Sequence, residues 1–281
     1  AYAAPAGWQH PVAVVAVAAL AAVNCFGVTR TAQLTRILVA CSLLGLAVVV
    51  AFGLSGAPVA APSSLQSATA YGVLQGAGLL FFAFAGYARI ATMGEEVVDP
   101  ARTIPRAITL ALTGAVIVYA LVGITVVTVL GESAATSTAP LADVVAAVGW
   151  APLEPLVRVS AAAASLGALL ALLTGIGRTT LAMARESDVP RFFAKVDERW
   201  QVPRRAEITI ALLVVAIVLA ADLRGAIGFS SFGVLTYYLI ANAAAFRQEG
   251  TARRYPRTLQ VIGALGCLLL VNTLPVVASL V

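Results

Sequence analysis

The stretch FFAFAGYARIATMGEEVVDPARTIPRAI, residues 81–108, decides how this chain is read. It opens as an apolar helix and carries Gly86 between Ala85 and Tyr87. It closes on the adjacent acids Glu95 and Glu96, two prolines, and the arginines Arg102 and Arg106. A plain membrane anchor needs none of these. Glycine inside a helix costs roughly 1 kcal/mol against alanine, so Gly86 within an apolar run predicts a break. A broken helix frees backbone N–H and C=O groups, which are not left bare in hydrocarbon. They are tolerated where they line a cavity or hold a ligand. The stretch therefore predicts a solute-binding site at membrane depth.

Composition places the chain in a membrane independently of any motif. Hydrophobic residues make up 60% and charged residues 11%, with a mean hydropathy of +0.95, against roughly 25% charged residues in a soluble domain. The net charge of +5 is carried on short connections between apolar runs, with no basic face of the kind that binds nucleic acid. No nucleic-acid partner is expected. Cys25, Cys41 and Cys267 lie in apolar segments without a CxxC pair, and His10 has no second His or Cys beside it. No disulfide, metal site or cofactor is expected. The chain begins at Ala1 without a recognisable signal peptide, which leads us to expect a fragment or a processed chain.

Apolar runs, uncharged except for Arg89, recur at about the length that crosses ~30 Å of hydrocarbon. They are 11–29, 37–54, 71–94, 107–131, 159–177 (continuing as helix to about Ala184), 208–221, 225–246 and 258–281. These predict eight spans in an all-α membrane protein forming a single transmembrane domain over residues 1–281. A short helical piece is expected near 141–148. The segment RFFAKVDERW, residues 191–200, predicts an interfacial helix with its aromatic residues at headgroup depth. Arg and Lys collect on alternate connections, around Arg30 and Arg36, Arg102 and Arg106, Arg185 to Arg205, and Arg247 to Arg257, with Arg158 and Arg224 the exceptions on the intervening ones. Those loops are expected on the cytoplasmic side, so that the first span runs inward.

Several segments carry a resemblance. Phe81, Phe82, Ala83, Phe84 and Gly86, followed by Glu95, Glu96, Asp99, Pro100, Arg102, Ile104, Pro105 and Ala107, resemble the sixth helix and its exit in the amino acid–polyamine–organocation superfamily. RTTLAMARESDVPRFFAKVD (178–197) is similar to the family's segment after its eighth helix, and GFSSFGVLTYYLIANAAAF (228–246) resembles its tenth. NCFGVTRTAQLTR (24–36) resembles the turn between helices four and five. Together they identify the chain as helices four to eleven of a twelve-helix permease.

The resemblance implies a leucine-transporter-like fold of two inverted five-helix repeats. Residues 1–54 would end the first repeat, 71–246 would complete the second, and 258–281 would add a further helix. It implies secondary active transport of amino acids across an inner (plasma) membrane by alternating access. The first three helices and their half of the site would lie outside these residues, so the intact parent is expected to transport and this chain alone is not. A polyamine or organocation carrier, an amino acid exchanger, or a truncated non-transporting fragment are the alternatives.

On that resemblance Phe82, Ala83, Phe84, Ala85, Gly86 and Tyr87 are the substrate-binding candidates, with Phe84 as a hydrophobic gate. Many members of the family carry an acid near the position of Ala88. Its absence here tilts the substrate towards neutral or apolar amino acids. Arg89 in mid-helix needs a partner, water or the nearby surface. With Glu95, Glu96 and Arg102 it forms the expected gating and ion-pair set. Some relatives place a lysine in the fifth helix, in register with Ser42 here. Ser42, Ser160 and Ser165 are the candidate oxygen donors for a sodium ion, against the ordinary role of hydroxyls bonded to their own helix. Proton coupling, uniport and exchange all fit these residues. Membrane lipid is the other expected partner, and no feature speaks to oligomeric state. With no HExxH, no GxSxG and no paired intramembrane acids, an enzyme is not expected.

Overall fold

A computed structural model describes residues 7–56, 69–84, 86, 97–220, 223–249 and 255–274, the side chains of 28–30 and 223–227 excepted. The described residues are helical apart from their connections. In chain order they form α1 (Gln9–Asn24), α2 (Val28–Ser55), α3 (Ala70–Phe84), α4 (Pro100–Leu130), α5 (Pro140–Ala147), α6 (Glu154–Glu186), α7 (Arg204–Ala220), α8 (Leu223–Phe246) and α9 (Arg257–Thr273). Among them, 31–55, 100–135, 151–186 and 228–246 are long and apolar enough to cross a membrane. Exposed apolar side chains such as Leu110 on α4 and Leu212 on α7 suit helices that face lipid. This is an all-α membrane protein.

The helices start where the chain offers the right first turn. Pro100 opens α4, Pro140 opens α5 and Pro155 lies in the first turn of α6, positions where a missing N–H leaves nothing unsatisfied. Glu154 also bonds Arg158 one turn on, at 2.6 Å.

The helices fall into two compact units. One holds α1, α2, α4, α5, α6 and α7. Within it α2 packs along α6, α1 against α6 and α7, and α5 against α2, α4 and α6. Val49, Val129, Val144, Val145 and Val157 fill one buried cluster, and Leu20, Leu170, Leu173, Ala206 and Ile210 another. The close approach of α2 and α6 depends on Gly45, where a Cβ would overlap the Ser160 side chain. The second unit holds α3, α8 and α9. Leu235, Cys267 and Leu274 are buried there, and Phe81 meets Tyr238 edge-on at 5.8 Å.

The connection from α6 to α7 differs from the expected interfacial helix. Residues Arg191–Ala194 make one 3-10 turn, and Lys195 is already extended. The local cause is Asp197, whose Oδ1 accepts the backbone N–H of Arg199 at 3.1 Å and of Trp200 at 3.0 Å. Its own N–H donates to the Val202 carbonyl at 2.9 Å. A side chain that satisfies the backbone in this way competes with a helix. Asp197 Oδ2 also pairs with Arg204 Nη1 at 3.3 Å. The Trp200 N–H above all, with the Arg204 guanidinium and the Arg199 N–H, holds the Asp197 carboxyl below the usual carboxylate range, against an opposing effect of burial.

Candidate functional site

Helix α3 stops at Phe84, and Gly86 has φ 108°. That angle is open to glycine and strained for any side chain, so the helix ends where the glycine in the apolar run placed its end. Phe82 is 42% exposed and Ala83 is exposed, while Phe84 and Gly86 are half-buried. Of the other expected members, Ala85, Tyr87, Arg89, Glu95 and Glu96 lie outside the described residues. Asp99, Arg102 and Arg106 stand exposed at the start of α4, and among the described residues no ion pair joins Asp99 to either arginine.

The three candidate serines all donate within their own helix. Ser42 Oγ donates to Leu38 O at 2.7 Å, Ser160 Oγ to Val157 O at 2.9 Å and Ser165 Oγ to Ala161 O at 3.0 Å. Ser160 is buried against Gly45, one turn from Ser42 along α2, whereas Ser165 is exposed. Their oxygens keep lone pairs, but the hydroxyl protons already have acceptors.

A polar constellation that the sequence reading did not single out lies where α1, α2, α6 and α7 meet. Glu207, in the first turn of α7, is 3% exposed, and Asn24, the last residue of α1, is 4% exposed. Asn24 Nδ2 donates to Glu207 Oε2 at 3.3 Å. Asn24 Oδ1 faces the hydroxyls of Thr31 on α2 and Thr174 on α6, each at 3.1 Å. Each threonine also reaches its own helix, at Gly27 O (3.3 Å) and Leu170 O (2.9 Å). One asparagine thus ties a buried carboxylate to three other helices. Gly177 leaves room for that carboxylate, since a Cβ there would come within 2.9 Å of Glu207 Cδ. A cavity of about 90 Å³ beside the cluster is also lined by Arg178 and Gln201, large and polar enough for water.

The sequence did hold a signal for this cluster. Glu207 is the one acid at the head of the run AEITIALLVV, and a carboxylate beside an apolar run requires a partner. Its partner Asn24 stands 183 residues away, so no local pattern connects them.

Comparison with known proteins completes the identification. Residues 8–281 match the family described as "Amino acid permease". An uncharacterized transporter of Mycobacterium tuberculosis is 54% identical over 273 residues, covering 95% of this chain and 61% of that protein. A protein named cationic amino acid transporter 7, chloroplastic, of Arabidopsis thaliana is 26% identical over 252 residues, covering 86% of this chain and 43% of that protein. A vacuolar cationic amino acid transporter 2 of the same plant is 31% identical over 166 residues, covering 58% and 26%. The chain spans 61% of the length of the mycobacterial relative. With the match running from residue 8 to the last residue, the chain belongs to the amino acid permease family.

Proposed function

We propose that the full-length parent of this chain carries amino acids across a cell membrane by secondary active transport, with the break at Gly86 at the substrate site. The observation that carries this is the end of α3 at Phe84, followed by Gly86 at φ 108°, in a chain of the amino acid permease family. A backbone that leaves the helix at a glycine can turn N–H or C=O groups towards a ligand. Such groups hold the carboxylate and ammonium of a zwitterion at mid-membrane. Phe82, Ala83, Phe84, Ala85, Gly86 and Tyr87 form this half of the site, and Phe84 closes over the substrate. Arg89, Glu95, Glu96 and Arg102 hold the inner end of the segment in one of two arrangements. The basic loops face the cytoplasm, and the helices follow the two-repeat order of the family.

The substrate we favour is a neutral or apolar amino acid, because Ala88 brings no carboxylate to the break. The names of the plant relatives favour a second reading, a cationic amino acid. A proton is the coupling ion we favour; a sodium ion at Ser42, Ser160 or Ser165 is the alternative. Uptake of radiolabelled leucine, alanine, arginine and lysine into proteoliposomes holding the full-length parent, with and without a pH gradient or sodium, separates these readings. Saturable uptake of a neutral substrate that arginine and lysine do not compete away supports the first. Competition by arginine and lysine supports the second, and absence of all uptake overturns both.

A further inference from the structure

We propose that the groove between α1 and α7 is a binding site for one anionic phospholipid, with an acyl chain between the helices and its phosphate at Arg204. The groove has a volume of about 360 Å³. On α1 its wall is Ala18, Ala21 and Ala22, small side chains at helical spacing that keep it open. On α7 it is Ile208, Ala211, Leu212 and Val215. Apart from Arg204, every residue along it is apolar or, like Cys25, behaves as a small hydrophobe.

Two features identify the occupant. The first is depth. Arg204 and Val215 are eleven residues apart on one helix, about 16 Å at 1.5 Å per residue, which is one leaflet of a hydrocarbon core ~30 Å thick. A neighbouring helix would need a groove running the full thickness, whereas an acyl chain needs one leaflet. The second is charge. The single charged group on the groove stands at its end, where the chain enters α7. Arg191, Lys195, Arg199 and Arg205 belong to the same short connection and the first turn after it. Arg199 stacks over Trp200 at 5.0 Å and Arg205 over Phe192 at 4.4 Å, which holds both cations at this end. Arg204 is half-exposed and uses Nη1 on Asp197. It also hydrogen-bonds the Cys25 thiol, and the remainder of the five N–H donors of a guanidinium are available to a phosphate oxygen. The site requires only that α1 and α7 lie in the bilayer with this loop at one surface. It stands whether or not the substrate reading above holds.

The test is native mass spectrometry of the purified full chain, titrated with phosphatidylglycerol or phosphatidylcholine. Phosphatidylglycerol is expected to be retained at least tenfold more tightly, with the difference lost in high salt as screening shortens to a few ångströms. Arg204→Gln is expected to abolish the preference. Asp197→Asn breaks the same ion pair but frees the guanidinium, so it is expected to keep or increase phosphatidylglycerol binding; a structural role of the pair would make both variants lose it. Ala22→Phe fills the groove from an exposed position and is expected to reduce retention of either lipid without lowering the melting temperature. Equal retention of the two lipids overturns the proposal. So does an Ala22→Phe protein that binds lipid like the wild type. A dimer without bound lipid, disrupted by Ala22→Phe, would show that a second copy fills the groove and would also overturn it.

Discussion

Replacing Asn24 by alanine removes the one residue that ties α1 to Glu207, and the structure allows its effect to be worked out. Two of the three hydrogen bonds are replaceable. Thr31 and Thr174 have carbonyls of their own helices within reach, at 3.3 and 2.9 Å, so their hydroxyls keep an acceptor. The third is not, because Glu207 is 3% exposed and its Oε2 loses the amide at 3.3 Å. Burial raises the Glu207 carboxyl to about 7, so the measurement is made at alkaline pH where it is ionised; a hydrogen bond to a charged group is worth about 1.5–3 kcal/mol. Attraction to Arg178 across the cavity recovers part of it, so Asn24→Ala should cost roughly 1.5–2.5 kcal/mol. That corresponds to a fall of about 3–10 °C in melting temperature at ~2–4 °C per kcal/mol. Thermal unfolding of the purified protein, followed by circular dichroism, reads the shift. In a Glu207→Gln background the bond at stake is neutral, worth ~0.5–1.5 kcal/mol, so the double mutant should show coupling of about 1 kcal/mol. An Asn24→Ala protein within about 0.5 kcal/mol of wild type, or two strictly additive substitutions, would refute the role given to this amide.

Other substitutions probe separate parts of the account. Gly45→Val should destabilise the unit that contains α2 and α6 by about 1–3 kcal/mol through overpacking, because even a Cβ at Gly45 meets Ser160; a Gly45→Val protein that melts like wild type would deny the close approach. The pH dependence of stability should report Asp197. Its carboxyl is held below the ordinary 3.8 in the folded chain, so the stability it adds is present above the ordinary value and lost as pH falls through the depressed one. Asp197→Asn should therefore differ from wild type by a constant amount above about pH 5 and converge on it in stronger acid. Parallel curves across the whole range would contradict that sign.

Much of the helical order is legible in the sequence because apolar runs and charged connections alternate. The end of α3 falls at the expected glycine, although Gly45 and Gly177, also within apolar runs, stay in continuous helix and make room for a neighbour instead. Helix limits are less legible. The apolar run suggested a helix from residue 37, yet α2 begins at Val28, because a helix runs on through polar residues such as Gln33 and Arg36 once these reach the surface. The α6–α7 connection misled in the opposite direction. RFFAKVDERW has an amphipathic pattern, but Asp197 satisfies two backbone N–H groups and ends regular helix before it starts. The Glu207 cluster was hidden because its parts, Asn24, Thr31, Thr174 and Glu207, are unremarkable in sequence and meet only through packing of four helices. Burial and the partner made the carboxylate informative, and neither is a property of residue 207 alone.

The central claim is that the backbone at Gly86 handles substrate, and the most direct measurement of it is uptake of the preferred radiolabelled amino acid by Gly86→Leu beside wild type. At φ 108° a branched side chain is strained and would also occupy the space next to the helix end. The account predicts that the full-length parent carrying Gly86→Leu inserts into proteoliposomes, loses about 1–3 kcal/mol of stability to backbone strain, and shows no saturable uptake. Uptake by Gly86→Leu at the wild-type rate would contradict it.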